Sequence, residues 1–311
     1  MNEGSVKILE PQTAGEVVGE TPSFAARARS WVKAVFFFIY LYCGYVQLRD
    51  YCLALLGRSR AVVLYYHRLG KADVLTRAPE QFSEDLNYLK QHYDCISLRE
   101  LCQRLQSKQA FRRRAVVITF DDGYRDNYLL AAPMLKKAGI TATFFVSTGY
   151  MGTERDFLHD LRDEKEVSEK PLRFPKLTWD DLREMEREGF EIGSHTVNHT
   201  NMGKTDKVSI EREIVGSLAM LNCELNERPR AFSFPWGKPD DISDYALEIV
   251  RQAGYYTAVS AYGGSNTRGA NLFNIHRVDV GNGELSRLAM RARVAGFDPD
   301  FYRLKLKNRN I

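Results

Sequence analysis

The chain has 311 residues, of which 44% are hydrophobic and 27% charged, and this balance excludes a disordered, fibrous or multi-span membrane protein. Lys and Arg number 44 against 40 Asp and Glu, and this net charge of +4 does not indicate a nucleic-acid partner. Five cysteines without a CxxC pair predict neither a disulfide framework nor a cysteine zinc site.

The first 60 residues divide into two unlike segments. Residues 1–30 lack apolar periodicity, so we expect a flexible tail. Residues 31–57 contain a charge-free apolar stretch, Ala34 to Leu48, which is short for a bilayer span of about 20 residues. The four tyrosines of residues 31–57 suit a membrane interface or a protein groove. Two interpretations stay open: a membrane anchor or interfacial hydrophobic helix, and a helix packed on the domain that follows.

From residue 61 onwards, short apolar runs rich in β-branched and aromatic residues alternate with helical segments. The seven predicted strands are 61–67, 115–120, 141–146, 190–195, 231–235, 256–260 and 273–280. The helices have recognisable ends, such as the capping pair Ser97 and Glu100 and the terminal glycines Gly139 and Gly189. This alternation predicts an α/β fold with a parallel sheet, closed into a barrel within residues 61–311.

Ligand sites of such folds form at the carboxyl ends of strands, and two predicted strands lead into residues suited to catalysis. One strand is followed directly by Asp121 and Asp122, and another leads into His195 and His199. Alone, Asp-Asp-Gly is a common turn and a single histidine is usually structural. Together, two imidazoles and one carboxylate bind a divalent metal and leave coordination positions open. Adjacent aspartates point in different directions, so the other one can act as a general base.

Three motifs in this order resemble those of the polysaccharide deacetylases of the NodB homology type, also called carbohydrate esterase family 4. They are TFDDG at 119–123, HTVNH at 195–199 and FSFPWG at 232–237, and the resemblance covers residues 61–280. The segment YYHR at 65–68 is similar to the branch that trims exopolysaccharides such as poly-N-acetylglucosamine. The resemblance implies a distorted (β/α)7 barrel and a metal-dependent hydrolase that removes N-acetyl groups from amino sugars of a polysaccharide or lipid-linked glycan.

The resemblance also implies roles for individual side chains. Asp121 matches the family's base, while Asp122, His195 and His199 match the ligands of its metal. That divalent metal is expected to be Zn²⁺, with Co²⁺, Ni²⁺ or Mn²⁺ as alternatives. It would lower the pKa of a water molecule and polarise the acetyl carbonyl.

The family protonates the departing amine with a histidine, and two positions match. His67 follows the first barrel strand, where the exopolysaccharide branch places its acid, and is preferred to His276, which lies late in the chain, where other members carry theirs. Many members pair the base with an arginine at the position of Ser233. The orienting cation must therefore come from elsewhere, and Arg277 is the predicted one, with Arg230 as the alternative.

Three residues beside the motifs are predicted to contact the substrate. The backbone N–H of Trp236 is expected to stabilise the oxyanion, in a turn that Pro235 shapes. The rings of Tyr124 and Trp236 are expected to stack on sugars.

Two alternative functions and two locations stay open. The same metal site would serve an O-acetyl ester hydrolase acting on a polysaccharide, and the missing arginine at Ser233 also allows a carbohydrate-binding barrel with impaired catalysis. An N-acetylated glycan is the expected partner, together with a membrane contact through residues 31–57, and no nucleic acid is expected. A membrane contact would place the protein in the cell envelope, whereas a packed helix would allow a cytoplasmic location.

Overall fold

A computed structural model describes residues 24–56, 60–70, 75–107, 111, 114–163, 174–226, 230–280, 286–298 and 301. The strands in these ranges are β1 (Ala61–Tyr66), β2 (Arg68–Leu69), β3 (Thr76–Arg77), β4 (Asp94–Cys95), β5 (Ala115–Phe120), β6 (Thr143–Val146), β7 (Glu191–Ser194), β8 (Ala231–Ser233), β9 (Thr257–Val259) and β10 (Arg277–Asp279). The helices are α1 (Phe24–Tyr42), α2 (Tyr45–Leu55), α3 (Pro79–His92), α4 (Leu98–Gln106), α5 (Ala132–Ala138), α6 (Leu158–Asp163), α7 (Trp179–Arg187), α8 (Lys207–Glu224), α9 (Asp244–Gln252) and α10 (Ser286–Val294).

Seven parallel strands form a nearly closed barrel in the order β10-β1-β5-β6-β7-β8-β9, and the short β4 pairs with β5. In the register of the sheet, Val63 of β1 lies opposite Arg277 of β10 on one side and Val117 of β5 on the other. A bridge between Val259 and Ile275 narrows the remaining gap between β9 and β10. The predicted (β/α)7 barrel is confirmed, and each predicted strand segment contains one of the seven strands.

The barrel strands are buried because helices cover the outside of the sheet. All six residues of β5 are buried, which is typical of parallel sheets covered on both faces. From α3, Phe82, Leu86 and Leu89 pack into the same core cluster as the β1 and β5 side chains. This packing follows the helical spacing of the three apolar residues.

Several helix ends lie where the capping residues predict them. The Ser97 hydroxyl accepts a hydrogen bond of 3.0 Å from the Glu100 N–H at the start of α4, and Gly139 ends α5 in the left-handed conformation. The sequence does not predict the π-helical turn Asn127–Ala131 that precedes α5. In this turn, the Asn127 amide donates a 2.8 Å hydrogen bond to the carbonyl of His67, which ties the turn to the end of β1.

The N-terminal helices α1 and α2 lie against the barrel as a bent pair. The helix α1 begins at Phe24, ahead of the predicted boundary at residue 31, and residues 1–23 of the predicted tail lie outside the described residues. Within the described ranges, no single helix is long and apolar enough to cross a membrane, although Trp31–Tyr42 and Tyr45–Leu55 reach that threshold together, with a bend of 44°.

Candidate metal centre and active site

Three loops at the carboxyl ends of β5, β7 and β8 carry the predicted motifs, and each contains strained backbone. Within the described part of the chain, the non-glycine residues with positive φ are Asp122 at 74°, Thr196 at 67°, His199 at 54° and Trp236 at 57°. A left-handed conformation costs a non-glycine residue on the order of 1–3 kcal/mol. All four belong to the motifs, so the fold maintains this strain where the sequence predicts the site.

Asp122 lies at the centre of the site, with three imidazoles around its carboxylate. Its Oδ1 is 3.5 Å from His195 Nε2 and 3.3 Å from His199 Nε2, and its Oδ2 is 3.4 Å from His159 Nε2. The side chain is 1% exposed. Burial alone would raise the pKa of Asp122, but the imidazoles of His199 and His159 outweigh it and hold the pKa well below its usual range.

The surroundings of Asp122 fit a divalent cation. Both carboxylate oxygens are buried without a hydrogen-bond partner, and such a carboxylate is costly unless a cation neutralises it. Two ligand atoms that share one tetrahedral zinc ion at 2.0–2.1 Å lie roughly 3.3–3.4 Å apart. The separations of Oδ1 from the two Nε2 atoms, 3.3 Å for His199 and 3.5 Å for His195, are close to that value.

A histidine outside the predicted ligand set lies at this centre. Asp122, His159 and His199 each offer a ligand atom, and these atoms lie within 4.8 Å of one another. The predicted ligand set has His195 in place of His159. His195 also lies at this centre, with its ring centroid 5.0 Å from that of His199. The motifs do not predict His159, because it lies on α6, which no motif includes.

The hydrogen bonds of His195 define its tautomer. Its Nδ1 lies 2.8 Å from the carbonyl oxygen of Ser233, which can only accept, so Nδ1 carries the proton and Nε2 presents a lone pair toward Asp122. Burial lowers the pKa of His195 to about 4. The imidazole is therefore neutral near pH 7, which is the form that binds metals.

Tyr124 holds His159 in place, which corrects its predicted role in sugar stacking. The Tyr124 ring is fully buried and contacts Phe157 and Phe174, so it has no face to offer a sugar. Its hydroxyl lies 2.9 Å from His159 Nε2 and donates a 3.0 Å hydrogen bond to Asp160. Burial opposes protonation of His159, but Asp122 outweighs it and raises the pKa of His159.

Asp121 points into the barrel, where Arg277 pairs with it. The two guanidinium nitrogens Nη1 and Nη2 of Arg277 lie 2.7 Å from the two carboxylate oxygens of Asp121. Burial alone would raise the pKa of Asp121, but the Arg277 charge outweighs it and lowers the pKa. Arg277 also donates a 2.9 Å hydrogen bond to the Ser233 hydroxyl. Arg230, the alternative cation, pairs with Glu186 instead.

The structure separates the two candidate acids. His67 follows the carboxyl end of β1, which pairs with β5, the strand that leads into Asp121 and Asp122. The ring of His276 instead lies 5.3 Å from that of Tyr262 and 5.8 Å from that of Phe301. Residues adjacent on a strand face opposite sides. Because Arg277 points at Asp121, its neighbour His276 points away.

The turn after β8 places Trp236 beside the histidines. Its indole is 48% exposed, and the ring centroids of Trp236 and His199 are 4.6 Å apart. Among the described residues, no group accepts a hydrogen bond from the backbone N–H of Trp236. Pro235 is buried, and its carbonyl accepts a 2.6 Å hydrogen bond from Gly237, where a Cβ would lie 2.8 Å from the Ala261 nitrogen.

Glu213 shapes the histidine loop, and sequence patterns do not single it out. From α8 its carboxylate accepts hydrogen bonds from the backbone N–H groups of Val197 and Asn198, at 2.9 and 2.7 Å, and from the Asn198 amide at 2.8 Å. These bonds fix the loop between His195 and His199. The apolar stripe of α8 predicts a helix but not this polar contact.

Comparison with known proteins agrees with the fold and the motifs. The family model of polysaccharide deacetylases matches residues 108–258. A poly-β-1,6-N-acetyl-D-glucosamine N-deacetylase of Staphylococcus aureus is 26% identical over 259 residues, covering 75% of this chain and 83% of the relative. Among solved structures, IcaB from Ammonifex degensii has a TM-score of 0.63 at 23% identity, covering 76% of this chain and 97% of its own. The deacetylase PplD of Streptococcus pyogenes has a TM-score of 0.59 at 24% identity, covering 72% and 93%.

The barrel and the carboxylate–imidazole site together define a deacetylase-type α/β barrel. Residues 108–258 match the family model of polysaccharide deacetylases, and the relatives of the chain include polysaccharide deacetylases, which are hydrolases.

Proposed function

We propose that the protein is a metal-dependent hydrolase that removes N-acetyl groups from amino sugars of a polysaccharide or lipid-linked glycan. The observation that carries this proposal is the buried, unpartnered carboxylate of Asp122, surrounded by imidazoles and next to the ion-paired Asp121. The curated relative from Staphylococcus aureus is named for poly-β-1,6-N-acetyl-D-glucosamine, so a polymer of N-acetylated glucosamine is the substrate class we assign.

Asp122 through Oδ1, and His195 and His199 through Nε2, would hold the ion. One oxygen and two imidazole nitrogens suit Zn²⁺ with a position left open. A divalent ion bound there would lower the pKa of a water molecule and polarise the acetyl carbonyl. His159 faces the other oxygen of Asp122 and would orient the carboxylate, as outer-shell partners of metal ligands do.

Asp121 is the proposed base. The Arg277 pair keeps its carboxylate ionised and fixes its orientation, while each oxygen retains a second lone pair for a proton. In this role Asp121 accepts a proton from the attacking water. His67 protonates the departing amine, and the Trp236 N–H stabilises the negative charge that develops on the acetyl oxygen.

The geometry around Ser233 favours an active enzyme over an impaired carbohydrate-binding barrel. The missing arginine at this position is the reason for considering a carbohydrate-binding barrel. Arg277 reaches Asp121 from β10 and donates to the Ser233 hydroxyl, so a guanidinium pairs with the base although it comes from another strand. Tight glycan binding without turnover by the metal-loaded protein would support the binding barrel instead.

Acetate release from N-acetylglucosamine oligomers tests the proposal. We expect the metal-loaded protein to release acetate, a chelator to stop the release, and Asp121→Asn to lower kcat by about 10²–10⁴-fold, because a positioned base contributes that much. Asp240→Asn makes the same change at an exposed aspartate and is the matched control. Release that persists with chelator, or in Asp121→Asn, contradicts the mechanism.

His67→Ala distinguishes amide from ester chemistry. An amine needs protonation to leave, whereas an ester leaving group is expelled more easily, so we expect this variant to lose amide hydrolysis and retain cleavage of an O-acetyl ester. His276→Ala is the control and should retain both activities. The comparison uses acetate release from matched N-acetyl and O-acetyl substrates. Equal loss of amide hydrolysis in both variants would contradict the assignment of His67, and a wild type active on esters alone would favour the ester hydrolase.

A further inference from the structure

The N-terminal helices expose an unusual amount of apolar surface. Of the eighteen exposed large hydrophobic side chains in the described residues, twelve lie between Trp31 and Leu56. Trp31 is 74% exposed and Leu55 70%. Large exposed apolar patches mark protein or membrane interaction sites, so this concentration of exposed apolar side chains on two adjacent helices indicates an interaction site.

The opposite side of the helix pair is fixed to the barrel. Leu41 and Val46 pack with Ala295 in a small apolar cluster. Asp50 of α2 forms an ion pair with Arg114, the residue before β5. The helix pair is therefore held in one orientation, with its apolar surface directed outward.

A cavity of about 860 Å³ lies between this helix pair, α3 and α10. Four arginines line it, namely Arg60, Arg114, Arg287 and Arg291. The acidic residues of its lining are Asp50 and Glu84, so positive charge predominates. Tyr42 and Tyr51 line the cavity and are also exposed on the outer surface of the helices. An arginine-rich cavity that adjoins an apolar surface has the two chemistries of an anionic phospholipid, a phosphate and hydrocarbon chains.

The charges of α2 argue against a transmembrane course. Arg49 and Asp50 lie in the middle of the helix, and a span would place both charges in the hydrocarbon core, where charged side chains are costly. Their contacts with the barrel, such as the 2.5 Å hydrogen bond from Arg49 to the Ala295 carbonyl, would also be lost. An interfacial position retains these contacts and buries the apolar surface.

We propose that α1 and α2 lie in the interface of a bilayer and that the arginine-lined cavity binds the phosphate of an anionic phospholipid. The occupant is thus a lipid of the bilayer itself. The inference is independent of the deacetylase proposal, because no residue of the metal centre takes part in it.

This placement sets the direction in which the active site faces. Arg60 and Arg114 directly precede β1 and β5, so the cavity lies at the amino ends of the strands, whereas Asp121 follows the carboxyl end of β5. The six residues of β5 span about 20 Å. The active site therefore faces away from the bilayer, toward a glycan that extends into the aqueous phase.

Vesicle flotation of the full chain tests the proposal. We expect it to float with vesicles of phosphatidylcholine and phosphatidylglycerol and less with phosphatidylcholine alone. Ile39→Glu, in the apolar surface, should abolish flotation with both, and Val208→Glu, an equally drastic change at an exposed valine of α8, should have no effect. Circular dichroism confirms that each variant is folded.

Replacing two arginines of the cavity by glutamine tests its role, because the apolar surface of α1 and α2 is left unchanged. Each arginine near an anionic surface strengthens binding about fivefold, so Arg287→Gln/Arg291→Gln should weaken binding to anionic vesicles about 25-fold. Arg212→Gln/Arg251→Gln, at exposed positions of α8 and α9, is the control. Equal binding to both vesicle types, phosphate binding without vesicles as tight as vesicle binding, or a stable dimer that hides the apolar surface would each overturn the proposal.

Discussion

Replacing Arg277 by methionine is expected to destabilise the protein by about 3–5 kcal/mol, because removal of one partner leaves a buried charge uncompensated. Arg277 is 1% exposed and Asp121 4%, and both guanidinium-to-carboxylate distances are 2.7 Å. Urea unfolding followed by circular dichroism measures the change. The loss should appear in the midpoint with little change in the slope of the transition.

A double variant shows whether the loss of stability in Arg277→Met comes from the unpaired charge or from lost packing. Asp121→Asn/Arg277→Met removes both charges, so its stability should exceed that of Arg277→Met, since replacing a whole buried pair costs far less than breaking it. Arg251→Met, at an exposed arginine of α9, controls for the substitution itself. A loss below about 1 kcal/mol in Arg277→Met would mean that the pair contributes no more than a surface ion pair.

Loss of the metal-site histidines is expected to weaken Zn²⁺ binding in a graded way. His199→Ala removes a proposed ligand and should weaken binding most. His159→Ala removes the contact to Asp122 Oδ2, and outer-shell losses of this kind typically weaken affinity 10–100-fold. Competition with a chromophoric chelator measures the affinity independently of activity.

His276→Ala is the control for this series, because His276 is a histidine whose ring contacts Tyr262 and Phe301 and not the metal site. If His159→Ala weakens binding as much as His199→Ala, then His159 is a direct ligand. The compact group of Asp122, His159 and His199 would then hold the ion without His195.

The barrel could be predicted from the sequence because most residues of its strands are buried, including all six of β5. Continuous apolar runs such as the one at 115–120 have few alternatives to a covered parallel strand, and the helices between them carry their own end signals. Strand lengths were less predictable. The segment 273–280 contains a strand of only three residues, Arg277–Asp279, because the pairing with β1 begins at Arg277.

Site residues could be predicted only where a reactive side chain lies in a loop that follows a predicted strand. Asp121, Asp122 and His195 come directly after strands, and His199 lies in the same loop as His195, so their motifs place them at one end of the barrel. His159 belongs to a six-residue helix without an apolar pattern, and only tertiary packing brings it to Asp122. Tyr124 lies next to a motif, but a position in the chain does not show which way a side chain points, and its ring is buried.

The pairing of β1 with β10 brings distant parts of the chain into contact, and this determines how the protein can be shortened. A fragment cut at the limits of the family match, 108–258, would omit both His67 and Arg277. The fragment would keep both aspartates and both histidines of the motifs. It would lack Arg277, which pairs with Asp121, and His67, the proposed acid for the amine. A minimal working version must therefore begin before Ala61 and extend past Asp279.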